Sequence, residues 1–172
     1  MNKILLTIIG LAAGLSALAQ GTVNMNNNFT PAGGSAKAFI LGLNNQPLAK
    51  ALGSVEILDS TGAVIKAGSL GADGLFFLNV ITVPNTSSSG AAQITIRAWD
   101  NSTGATFDAA TVKGSSAVNL TGLTTPPSPP LGLGAVGNFT GLQLSQEIIP
   151  EPSTVALAAL GLAGLFFVVR RK

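Results

Sequence analysis

The sequence predicts one all-β domain over residues 20–145, a single antiparallel β-sandwich of immunoglobulin-like or jelly-roll-like type. Three observations lead there. Short runs alternate apolar and polar residues with a period of two, as a half-buried strand requires. Clusters of Asp, Asn, Ser, Thr and Gly separate those runs at turn spacing. The chain is poor in charge (9%) and holds 21 Gly, a mix suited to an exported β protein with many turns.

"TVNMNNNF" and "KAFILG" read as the first, weaker strands, and Asn24 to Asn28 as a polar edge strand. "SVEILDSTGAVI" reads as a strand with Val55 and Ile57 on one face and Glu56 on the other. It turns at Asp59-Ser60-Thr61-Gly62, where Asp bonds its own backbone and Gly takes a positive φ, and then returns. "GLFFLNVITV" is almost wholly apolar and is expected to be a central strand. "AAQITIRAWDNSTGATFDAA" repeats the hairpin design, with Ile94, Ile96 and Ala98 alternating with Thr95, Arg97 and Trp99 before a turn at Asp100 to Gly104. "SSAVNL" and "NFTGLQL" are further weak strands. Between them the prolines of Thr124 to Gly134 cannot join a ladder, so that stretch is expected to be a surface loop.

Both ends differ from this body. Residues 1–19, "MNKILLTIIGLAAGLSALA", open with Lys3, continue as an apolar run and finish on Ala17-Leu18-Ala19. Small residues at Ala17 and Ala19 fit the shallow pockets of signal peptidase, so residues 1–19 read as a signal peptide and the mature chain is expected to begin at Gln20. At the other end, Thr154 to Val169 is 16 residues without a charge, followed by Arg170, Arg171 and Lys172. As a helix it would reach about 24 Å, short of the roughly 30 Å hydrocarbon layer, so it spans only with local thinning or with its flanks included. It is apolar on every side, which argues against a surface helix of a soluble domain. The basic cluster stays cytoplasmic and halts translocation, leaving the body exported.

Between body and helix, residues 146–153 form a linker containing Pro150-Glu151-Pro152. The two prolines remove backbone donors and hold the chain extended, the shape a protease cleft accepts. Pro-Glu-Pro, then Ser153, a short apolar helix and a terminal basic cluster together resemble the PEP-CTERM sorting signal of exported bacterial proteins. The resemblance covers residues 149–172, with Ile149 where the family often has Val. It implies an exosortase, a membrane-embedded cysteine transpeptidase, as the processing partner. It further implies a precursor held at the inner membrane and a mature form at the cell envelope surface or in the extracellular matrix of a biofilm. The opening "QGTVNMNNNF", the "RAWD" strand and "FDAA" also resemble exported proteins that carry this signal, with Met25 where their opening has Phe. That likeness implies no activity.

Composition removes several function classes. Without Cys or His the chain lacks thiol nucleophiles, disulfides and the commonest general base and metal ligand. Residues 20–149 hold five Lys/Arg and six Asp/Glu, so the basic pI reports the membrane-flanking charges, and no nucleic-acid partner is expected. Ser60 and Ser145 have no histidine to activate them. No cofactor, metal or enzymatic activity is expected. Trp99 beside Arg97 is a candidate contact for an exopolysaccharide, weighed against ordinary packing. Carbohydrate binding and a permanent single-span anchor are the alternatives to a sorted surface protein.

Overall fold

The computed structural model describes residues 20–86 and 89–147. The expected signal peptide, Pro150-Glu151-Pro152, the apolar segment 154–169 and the basic end lie outside the described residues. Among the described residues no helix is long and apolar enough to cross a membrane.

The described chain is all-β. Its strands are β1 (Gly21–Asn26), β2 (Ile40–Leu41), β3 (Gly53–Leu58), β4 (Val64–Ser69) and β5 (Phe77–Val83). They continue with β6 (Ala92–Asp100), β7 (Val112–Leu120), β8 (Leu131–Gly132), β9 (Leu142–Gln143) and β10 (Ser145–Gln146), with one helical turn, α1 (Leu133–Val136), between β8 and β9. A five-stranded sheet runs β10-β7-β6-β3-β4, all antiparallel. A three-stranded sheet runs β5-β1-β8, and β2 pairs with β9 in parallel.

Alternation decides which faces turn inward. Val55 and Ile57 of β3 and Ile94, Ile96 and Ala98 of β6 are fully buried, as their period-two spacing predicts. They join Val23 and Met25 of β1 and Ile81 and Val83 of β5 in one continuous core drawn from both large sheets. Phe76 and Phe139 are the bulkiest side chains in it, with ring centroids 6.3 Å apart.

The β3–β4 hairpin closes as expected at Asp59. Its Oδ1 accepts from the Thr61 N–H (2.8 Å), the Thr61 hydroxyl (2.6 Å) and the Ala63 N–H (3.0 Å), and Gly62 sits at φ 87°. The Thr61 hydroxyl, helped by the backbone N–H groups, holds this exposed carboxyl below its ordinary value of 3.8. A carboxyl whose pKa is depressed by folding stabilises the fold above its unfolded pKa, and that contribution is lost as pH falls through the folded value. The melting temperature of the wild type is therefore expected to exceed that of Asp59→Asn at neutral pH. The gap should begin to close below pH 3.8. A gap independent of pH would show that the charge is irrelevant to the turn.

Three segments depart from the pattern expected of them. The apolar run of β5 is an edge strand of its sheet, not a central one. A bulge is the cause: Asn24 pairs with Val80 but Asn26 with Phe77, so β5 carries one extra residue, and Asn79 takes φ 62°. The bulge shifts the side-chain parity. Phe76, Leu78, Ile81 and Val83 face the core, while Phe77 and Val80 are about half exposed (46% and 50%). β1, expected as a polar edge, instead lies between β5 and β8. The proline stretch 124–134 stays out of the ladders at its prolines, yet Leu131 and Gly132 pair with β1, and Leu133 and Val136 of α1 are buried.

Asn27, just past β1, is fully buried. Its Nδ2 donates to the carbonyls of Ala38 (2.8 Å) and Gly74 (2.9 Å), and its Oδ1 accepts from the Phe76 N–H (2.7 Å). One side chain thus bonds three backbone groups on two loops, and for the Ala38 carbonyl and the Phe76 N–H it is the one partner among the described residues.

Candidate functional site

The end of the fold delivers the chain to its sorting segment. β9 places Leu142 beside Ile40, and Leu144 is buried with its N–H donating to Leu41 O at 2.8 Å. After this anchor the chain becomes exposed. Ser145 and Gln146 pair with Lys113 and Val112 at the start of β7, continuing the ladder into the stretch expected as linker. The Glu147 N–H donates to Thr111 O at 2.7 Å, and its carboxylate meets the Lys113 ammonium at 2.6 Å. In the sequence only Ile148 and Ile149 separate Glu147, the last of the described residues, from Pro150. At the opposite end the expected cleavage point is equally close: Gln20 is exposed and Gly21 opens β1, its N–H bonded to Thr86 Oγ1 at 2.9 Å. Ala17 and Ala19 lie outside the described residues, as do Pro150, Glu151, Pro152, Arg170, Arg171 and Lys172.

Trp99 and Arg97 do fall on one outward face of β6, but not as an open platform. The second hairpin does not return directly after Asp100. Its turn forms, with Ser102 bonded to the Asp100 carboxylate, and the loop then runs on to Thr111. Gly104 is needed here, because a Cβ would collide with the backbone of Ala109 and Ala110. The loop lays Phe107 edge-on against Trp99 with ring centroids 6.2 Å apart, leaving Trp99 only 7% exposed. Arg97 stacks on Phe107 at 4.7 Å and lies 3.7 Å from Glu56; Lys113 approaches the same ring at 5.3 Å. The Trp99 indole N–H has no hydrogen-bond partner among the described residues. With its face covered, this tryptophan packs a loop onto the sheet and offers no ring face for a sugar to stack on.

Little else in the body assembles chemistry. Asp59 and Asp100 spend oxygens on their own turns, and among the described residues no group of three potential ligands could hold a metal ion. An open groove of about 700 Å³ runs between loop 31–37 and β9. Its lining holds Lys37 and no carboxylate, so no acid–base pair is assembled there. Sequence reasoning missed the Glu147–Lys113 pair and the Phe107 cover, since both join residues whose proximity depends on the sheet. For Asn27 a signal existed: an amide in a run following the alternating apolar positions Val23 and Met25.

Comparison with curated proteins and with solved structures returns no match to this chain. Residues 149–172 match the family model of the PEP-CTERM protein-sorting motif, so the chain ends in the signal by which exported proteins are addressed to an exosortase.

Proposed function

We propose that this protein is a non-enzymatic β-sandwich exported through its N-terminal signal. The segment 154–169 holds it at the inner membrane until an exosortase-type transpeptidase releases or transfers it near Pro150-Glu151-Pro152. The mature form then serves as structural or adhesive material at the cell envelope surface or in the extracellular matrix. The observation that carries this reading is the sorting-motif match at residues 149–172. It is supported by a body whose strand pairing, among the described residues, ends at Gln146, just before the motif. In this scheme the prolines supply the extended shape, Glu151 the recognition charge, and Arg170, Arg171 and Lys172 the halt in translocation.

Replacing Pro150, Glu151 and Pro152 together by Ala in the native host tests it. The variant is expected to accumulate in the membrane fraction with "FFVVRRK" still attached. Processing and release at the wild-type rate would remove the tripeptide as the address and leave 154–169 as a plain anchor.

A further inference from the structure

Strand β10 combines three properties: it is the last strand among the described residues, it is exposed, and in sequence it ends two residues before the sorting motif begins. Ser145, Gln146 and Glu147 are all exposed, whereas Leu144, immediately before them, is only 1% exposed. The chain therefore has a sharp boundary. Up to Leu144 it is held by core packing and by the bond to Leu41. Beyond it, among the described residues, it is held by edge pairing to Val112 and Lys113, the Ser145 hydroxyl donating to Lys113 O at 3.5 Å, the bond from Glu147 to Thr111 and the Glu147–Lys113 ion pair. Exposed backbone bonds with no apolar burial behind them are the contacts that open first in a native protein, and a surface ion pair adds little to hold them.

The length of chain available to a processing enzyme depends on whether β10 is paired. With β10 in place, the five residues from Ile148 to Pro152 can reach at most about 17 Å at roughly 3.3 Å per residue. With β10 released back to Leu144, the stretch from Ser145 to Pro152 extends about 26 Å. A protease binds its substrate as an extended strand with residues engaged on both sides of the cut. While β10 is paired, the residues just N-terminal to the tripeptide present one backbone edge to β7 and cannot present that edge to a protease cleft.

We propose that β10 is a detachable positioning strand: the sorting enzyme engages the chain only after Ser145 to Glu147 peel from β7, with Leu144 as the fixed stop. The proposal rests on the exosortase reading given above. Peeling leaves the core residues of the body untouched, so the domain arrives folded at its destination.

The native chain contains no cysteine, so a cross-strand lock can be introduced without competing thiols. Ser145 and Lys113 are register partners, and directly opposed residues of an antiparallel pair lie within disulfide range. Full-length precursor carrying Ser145→Cys and Lys113→Cys would be incubated with host membranes containing the native processing enzyme, oxidised or reduced, with the wild type under both conditions as control. The oxidised form is expected to be processed at least about tenfold more slowly than the reduced form, since the competent fraction sets the apparent affinity. Inserting a six-residue Gly/Ser spacer (about 20 Å extended) after Glu147 is expected to restore processing of the oxidised form, because the spacer supplies the missing free chain. Equal rates for oxidised and reduced precursor would overturn the proposal. So would a slow oxidised form that the spacer fails to rescue. Wild-type precursor left uncut under every condition would instead sink the exosortase reading, and the proposal with it.

Discussion

Asn27→Ala is expected to destabilise the folded body by about 2 kcal/mol or more, because each buried backbone group left without a partner costs about 1–3 kcal/mol. Three backbone groups bond this side chain, and two of them would lose their partner. The Phe76 N–H and the Ala38 and Gly74 carbonyls all lie at buried residues, and only the Gly74 carbonyl keeps another donor, the Ile40 N–H at 2.9 Å. Asn27→Asp is expected to give no recovery, since a carboxylate brings no donor to the two carbonyls and adds a buried charge. Urea unfolding of the mature-length chain measures both, as a fall in midpoint with an unchanged slope. A loss under 1 kcal/mol for the alanine variant would mean the loops at 38 and 74 find other partners.

Phe139→Ala is expected to cost about 3–5 kcal/mol, the usual penalty for emptying a fully buried aromatic site. Phe139 is 1% exposed and packs on Phe76, so it ties the segment after α1 to the strand sheet at the Asn27 clamp. Next to it, the Asn138 side chain accepts from the Asn119 N–H at 2.9 Å, on β7. The loss should therefore concentrate in residues 137–147, read as faster amide exchange there than in β3 and β6. Phe139→Leu fills most of the volume and is expected to lose far less. Uniform exchange across all strands in the alanine variant would show that the closing segment has no separate stability.

How much could be read from the chain depended on whether the determining contacts were local. β3 and β6 were legible because each buries one face and alternates over most of its length, and β4 because the Asp59 turn that leads into it is bonded within four residues. β5 was not, because a bulge at Asn79 breaks the alternation and makes a bulged edge strand look like a continuous apolar, central one. Two-residue strands such as β8, β9 and β10 are too short to carry a period, so they exist only through their partners. The cover on Trp99 comes from Phe107, eight residues along a loop whose path depends on Gly104 and on Lys113. The sorting motif was legible for the opposite reason: its match at residues 149–172 rests on residue order alone.

The most direct test of removable sorting is the intact mass of the protein recovered from the membrane and external fractions of its own host, with mapping of its C-terminal peptide. A chain beginning at Gln20 and ending near Pro152, found outside the inner membrane, is the expected result. A chain still ending in Arg170-Arg171-Lys172 and confined to the membrane would contradict it and make residues 154–169 a permanent anchor.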